Sequence, residues 1–448
     1  MIRSLAMSGD EARLGSRFAK LWTASTTSAL GSGLATIATP LFVASRTSSP
    51  VIISAAFGVA WLPWLLFALP GGVLVDRVDR RRLMIVVDWI RVAAMGLLAA
   101  AILTGWASIA LLYVVLFIIN TGEIVFRTAS QAMVPAIVPV TMLERANGWL
   151  AGGETLMQQM VAGPLAGLLF TIAPGLPFLG NAGTYAASAI LIAAIAGSYR
   201  SPQLLTERVP AERAAGRAGP GRDSSNQNRR NSVWTEVVEG FRWLIHQRLL
   251  RTMAILIGLL NITLTGALAV LVLLARERLH LGSVGYGVLF ACLAAGGILG
   301  SLIGDRLIAW VSATWTIRVG LMIEAGLHLA LATSRSSYLI GVAMFAFGVH
   351  GTLWMIVSSS LRQRLTPSAM LGRVGSTNLF IAAGGNCVGA LIAGGLAARF
   401  GITAPYWAGF AVAVAVSAAT WRVFNRAAVS RAYAIPVPDD AGELAPAS

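Results

Sequence analysis

Gly72-Val73-Leu74-Val75-Asp76-Arg77-Val78-Asp79-Arg80-Arg81-Arg82 packs six charges into seven residues between two long apolar runs, 51–74 and 83–104. Each run has the ~20 apolar residues that an α-helix needs to cross the hydrocarbon of a bilayer. The charged stretch therefore reads as a short loop joining two transmembrane helices. It has a fainter copy, Ser301-Leu302-Ile303-Gly304-Asp305-Arg306, 229 residues further on. The same displacement takes Phe57-Gly58-Val59 to Tyr286-Gly287-Val288, and one of 228 takes Pro139, Arg145 and Gly167 to Pro367, Arg373 and Gly395. Independent anchors at one offset mark an internal duplication.

Outward from the loop, further apolar segments of spanning length lie near 21–44, 107–127, 146–172 and 176–198. A second set follows at 252–275, 284–304, 315–333, 337–361, 374–397 and 405–424. The spacing predicts an all-α integral membrane protein of twelve transmembrane helices, in two six-helix pseudo-symmetric halves. Helices 3 and 4 nearly merge around Gly105. Two parallel halves related by an axis along the membrane normal are a transporter architecture.

Composition excludes other classes. Of 448 residues, 56% are apolar and only 12% charged, with a mean hydropathy of +0.73; a soluble domain carries about a quarter charged residues. The net charge of +15 is dispersed between apolar runs, not gathered on one basic face, so no nucleic-acid partner is expected. Lys20 is the only lysine and closes no Gly-rich phosphate loop, which excludes a Walker-type ATPase within this chain. Cys292 and Cys387 lie in apolar stretches, four histidines are scattered, and no metal or cofactor motif appears. Neither His-Glu-x-x-His nor Gly-x-Ser-x-Gly occurs, so the chain is not expected to be an enzyme.

Cytoplasmic loops retain Lys and Arg. With the N-terminus inside, the inner segments hold 28 of these residues and the outer loops 5; without the long middle loop the inner count is still 18. Both termini are therefore expected in the cytoplasm, the protein spanning the plasma (inner) membrane many times. No cleavable leader is evident, and the first helix is expected to be retained.

The organisation expected is a cytoplasmic tail at 1–20, a first half at 21–199, a linker at 200–232, a surface helix at 233–251, a second half at 252–425 and a tail at 426–448. The linker is rich in Arg, Ser, Gly, Pro and Asn and cannot bury a core. After it, Trp234, Val237, Val238, Phe241, Leu244 and Ile245 recur at helical spacing, as in an amphipathic helix on a membrane surface.

The charged loop resembles the cytoplasmic signature of the major facilitator superfamily, Gly-x-x-x-Asp-Arg-x-Gly-Arg-Arg. Gly72, Asp76, Arg77, Arg80 and Arg81 fit it in turn, and Asp79 stands where the pattern has its second glycine. Gly304, Asp305 and Arg306 belong to the degraded copy. The resemblance implies that Asp76 meets the start of helix 11 and latches the halves closed toward the cytoplasm, where a helix N-terminus favours an acid. A topology determinant alone would carry the same charges. In helix 5, Gly163-Pro164-Leu165-Ala166-Gly167 is similar to the Gly-Pro-x-x-Gly core of drug-exporting members, without its outer glycines; a packing kink would look the same. Ser28 to Gly33, Arg145 to Gly148 and Leu371 to Val374 resemble the bacterial branch that includes macrolide efflux proteins and the enterobactin exporter.

Charged groups inside a membrane cost ~2.5–3.5 kcal/mol on insertion scales and mark functional positions. Asp88, Arg91 and Glu123 are expected as a charge network toward the cytoplasmic end, near the Asp76 loop. Glu154, with Gln158 on the same helix face, is the first candidate for proton coupling, since a carboxyl withdrawn from water can load and release a proton. A purely structural hydrogen bond is the alternative. Glu324 with His350 is the second choice.

These features imply a secondary active exporter of small amphipathic or hydrophobic compounds, coupled to proton entry by alternating access. Its partners would be the bilayer, a small-molecule substrate and protons, and a monomer is expected. Import or lipid translocation by the same fold, a sensor that binds without flux and a polytopic membrane enzyme are the competing readings.

Overall fold

The computed structural model describes residues 14–197, 199, 233–424 and 426–433, with the side chains of 68–74, 76, 77, 140, 233–237, 368, 369, 426 and 428–430 left aside. The linker at 200–232 and most of both tails lie outside the described residues. All regular structure among the described residues is helical. In hydrocarbon every backbone N–H and C=O needs a partner within the chain, and a helix supplies it locally.

The first half holds α1 (Gly15–Arg46), α2 (Pro50–Arg77), α3 (Arg80–Leu103), α4 (Ile109–Ile137), α5 (Leu143–Ile172) and α6 (Leu176–Ala193). A surface helix, α7 (Val233–His246), precedes the second half. That half holds α8 (Arg248–Arg278), α9 (Ser283–Val311), α10 (Ala313–Thr333), α11 (Ser337–Leu365), α12 (Ser368–Phe400) and α13 (Ala404–Thr420), followed by the short α14 (Arg426–Tyr433). Eleven of these helices are long and apolar enough to cross a bilayer. The twelfth, α13, has 17 residues and rises about 25 Å.

Helix ends follow local chemistry. Between α3 and α4 the chain turns at Gly105, whose φ of +86° suits glycine, and Ser108 then caps α4 by accepting the Leu111 N–H at 3.1 Å. Helix α4 runs ten residues beyond the expected 127, to Ile137. Large aromatic side chains such as Trp310 and Tyr338 stand 85% and 87% exposed at helix ends, where interfacial belts form.

With twelve passes the start of α1 and the end of α13 share one face, called here the terminal side. Toward the far side a single apolar core joins both halves, running from Leu34–Ala44 of α1 through Leu112–Ile119 of α4 to Val270–Ala275 of α8 and Leu327–Ala332 of α10. Toward the terminal side the buried residues separate into two clusters. One is built on Phe18, Leu21, Met84 and Met133 of the first half, the other on Leu250, Ile317, Val357 and Leu361 of the second.

Glycine crossings seal the far side in a two-fold pattern. Gly163 of α5 lies against Gly287 of α9, and Gly167 against Ser283. On the opposite flank Gly58 of α2 lies against Leu391 of α12, and Gly394 against Ser54. Gly58 and Ser54 are the repeat equivalents of Gly287 and Ser283, and Leu391 that of Gly163. Arg276 adds a hydrogen bond from α8 to the Ala44 carbonyl of α1.

Helix α7 rests on the start of α12. Gly240 packs on the Arg373 backbone, Glu239 pairs with Arg373 at 3.1 Å, and Leu244 is buried. Val238 and Phe241 on its other face are exposed.

Candidate functional site

Arg91 sits halfway along α3 with its side chain fully buried. The expected network of Asp88, Arg91 and Glu123 is brought together there, at mid-helix, and its described contacts lie within the bundle rather than at the Asp76 loop. The guanidinium donates to Asp88 Oδ1 at 3.2 Å, Ser28 at 3.3 Å, Ser32 at 3.3 Å and the Tyr185 hydroxyl at 2.9 Å. It also pairs with Glu123 and stacks 3.8 Å from the centre of the Tyr185 ring. Ser32 donates to the same Glu123 oxygen at 3.0 Å. Four helices, α1, α3, α4 and α6, thus meet on one arginine, which has the rigid, many-donor fork such a junction needs. Gly122 of α4 makes room: a Cβ there would stand 2.9 Å from Arg91 Cδ.

One turn along α4 from Glu123, Arg127 pairs with Glu154 of α5 at 3.0 Å. Both side chains keep some exposure, 40% and 18%. Glu154 is therefore ion-paired and partly exposed. Beyond it α5 changes pitch, with a π-helical turn over Leu156–Val161 that contains Gln158 and precedes Gly163 and Pro164. Proline lacks the N–H that would continue an α ladder, and π turns recur at functional positions. Gly33 of α1 lies directly against the Gln158 carbonyl.

The second half is arranged differently. Glu324 is 2% exposed, and His328 lies one turn along α10 at 3.9 Å. His350, the partner expected for Glu324, instead fills the space over Gly320. Gly320 lies 229 residues after Arg91 and His350 228 after Gly122, the two displacements of the repeat. The same helix crossing is thus filled in both halves, from α3 in the first and from α11 in the second.

In the signature loop, the backbone of Asp76 and Arg77 ends α2, and their side chains are outside those described. Asp79 caps α3, accepting the Arg82 N–H at 2.9 Å and the Tyr199 N–H at 2.9 Å. Arg80 donates to the Ala132 carbonyl at 2.9 Å and Arg81 to that of Ile192 at 3.2 Å. The loop thereby ties α3 to α4 and to the end of α6, where cations suit the helix dipole. Gly304 is buried against Ile356, while Asp305 and Arg306 are exposed on α9. No group of three or more potential metal ligands occurs among the described residues.

Sequence reading alone missed Ser28, Ser32, Tyr185 and Arg127. The first three look like ordinary small or aromatic residues of apolar helices, although Ser28 and Ser32 share one face at i, i+4. Arg127 looked like a loop charge because α4 was expected to end there.

The Major Facilitator Superfamily pattern matches residues 21–389. Macrolide efflux protein A of Streptococcus pyogenes is 28% identical over 156 residues, 35% of this chain and 38% of that protein. The enterobactin exporter of Escherichia coli O1:K1 is 28% identical over 168 residues, 36% of this chain and 38% of its own. These matches thus span well under half the length of either relative. A solved bacterial homologue of the iron transporter ferroportin, in an inward-facing state, shares the fold with a TM-score of 0.69 at 13% identity, over 92% of this chain and 99% of its own.

Proposed function

Because the chain belongs to the major facilitator superfamily, we propose that it is a secondary active exporter moving small amphipathic or hydrophobic compounds out of the cell in exchange for protons. The observation that carries this reading is the one-sided closure. The far side is sealed by one continuous apolar core and glycine crossings, while the terminal side has two separate clusters. Such a bundle is poised to receive a compound from the terminal side. It releases the compound only after the far-side contacts part and the two clusters meet.

The distribution of Lys and Arg favours the terminal side as cytoplasmic, and the plasma membrane as the site of action. The efflux relatives favour the outward direction. Glu154 is the coupling group of this reading. Ionised, it holds Arg127; a proton arriving on it cancels that attraction and frees α5 from α4. Gln158, Gly163, Pro164 and Gly167 lie along the same helix, where the π turn gives α5 an alternative register. Asp76 serves as the latch that holds the terminal side shut after the change, meeting the start of α12. Glu324 with His328 is the second candidate in the other half, and His350 stands apart from it over Gly320. The linker, surface helix and tails keep their expected places in this reading, on the cytoplasmic side of a monomer.

The test is efflux of a panel of dyes and macrolide antibiotics from a transport-deficient host expressing the chain. Extrusion abolished by an uncoupler and by Glu154→Gln supports the exporter. Inward accumulation of any compound, or extrusion indifferent to uncoupler, would overturn it.

A further inference from the structure

The Arg91 cluster does not balance its charges. One guanidinium faces two carboxyl groups, Asp88 and Glu123. The other groups turned toward them are neutral, namely Ser28 and Ser32 of α1 and Tyr185 and Ser188 of α6. The neighbouring Arg127 is engaged by Glu154. A net negative charge in a low-dielectric interior is costly unless it is paired or neutralised.

The two acids differ in how well they are served. Glu123 has the Arg91 bond and the Ser32 hydroxyl on one oxygen, and keeps 16% of its side chain exposed. Asp88 is fully buried; its Oδ1 receives a single Arg91 bond at 3.2 Å, and its Oδ2 receives none. Ser188 stands beside it, also fully buried, with a neutral hydroxyl that can donate to or accept from Asp88. Of the two acids Asp88 is the fully buried one and the one that Arg91 serves less well, and it is where the missing positive charge goes.

We propose that the Arg91 cluster is a proton-binding site, with the proton held on Asp88 Oδ2 and directed at Ser188. Binding converts the Asp88 carboxylate to a carboxylic acid and brings the cluster from one net negative charge to none. Glu123 remains the ionised partner of Arg91 and is the side of the cluster that water can reach. This site is separate from the Glu154–Arg127 pair and is a property of the resting protein, whichever direction it transports.

Infrared spectroscopy of the purified full chain at neutral pH tests it. A protonated carboxyl stretch should shift to lower frequency when the aspartate side chains carry carbon-13, and should not shift with labelled glutamate. The aspartate-sensitive band should vanish in Asp88→Asn. It should also vanish in Glu123→Gln, where one acid and one guanidinium remain and Asp88 gives up its proton. An absent aspartate-sensitive band would overturn the proposal, as would thermal stability that rises with sodium concentration, which would mean a metal cation in the proton's place. A band that survives Glu123→Gln would show that burial and not charge excess protonates Asp88, and would equally overturn the site as described. If Asp88→Asn fails to fold, the isotope shift in the unmodified chain and its loss in Glu123→Gln decide the matter.

Discussion

Gly163 and Gly287 meet backbone to backbone where α5 crosses α9, so closely that a Cβ on Gly163 would stand 2.6 Å from the Gly287 carbonyl oxygen. The contact joins the two halves and lies within the far-side seal. Overpacking it with Gly163→Leu is expected to cost ~1–3 kcal/mol, charged only against the closed far side. Populations should shift toward far-side opening by about 5- to 150-fold, with efflux falling and expression intact. Inter-helix distances from paired spin labels on α5 and α9 would read the shift directly.

Cys387 offers a native reporter on the other flank. Its thiol lies 3.6 Å from the Gly58 carbonyl of α2, inside the seal, whereas Cys292 packs on Gly341 within one half. Maleimide labelling of Cys387 should be slow in the unmodified chain and speed up about tenfold in Gly163→Leu. Cys292 should label at the same rate in both. Equal acceleration of the two would mean general loosening instead of flank opening.

The Arg127–Glu154 pair should behave as a unit in transport. Arg127→Ala and Glu154→Gln are each expected to abolish the uncoupler-sensitive part of efflux. The combined variant should be no worse than either alone, since the cycle for a shared interaction is not additive. Independent, additive losses in a double-mutant cycle of initial rates would count against coupling through this pair.

Arg91 should be indispensable to the first half. Arg91→Met strands the Glu123 carboxylate and leaves Asp88 without a donor, and breaking a buried pair in this way costs ~3–5 kcal/mol. Loss of folded protein in detergent is expected, read by fluorescence-detected size exclusion. Adding Asp88→Asn and Glu123→Gln to Arg91→Met should recover most of it.

At the signature loop, Asp79→Ala should lower stability by ~1 kcal/mol through the lost cap, and Asp79→Gly by only a few tenths for the cap itself. The tether to the Tyr199 N–H is lost in both. Thermal midpoints of the three proteins side by side would show whether the cap or the tether matters more.

The spans, the duplication and the family were legible in sequence because each rests on a pattern that hydrocarbon imposes on every helix. Asp88, Arg91 and Glu123 were visible for the same reason: a charge in an apolar run has to be answered by something. What answered it was hidden. Ser28, Ser32 and Tyr185 acquire their roles only when α1 and α6 are laid against α3. Glu324 seemed suited to His350 until the fold put Gly320 under the imidazole. The π turn at Leu156–Val161 left no compositional mark beyond the proline that follows it.

The exchange of a side chain for a glycine between Arg91–Gly122 and Gly320–His350 sets a rule for how the two halves can diverge. In each, one helix projects into a slot that its neighbour leaves empty, and both projections would claim the same volume. An arginine on α3 facing a histidine on α4 would collide, so no single replacement converts either half to the other's arrangement. A route between them that avoids the clash passes through small residues on both helices, which leave a hollow the size of the absent side chain. Having taken opposite sides of that choice, the duplicated halves are held apart by sterics as firmly as their shared helix plan holds them alike.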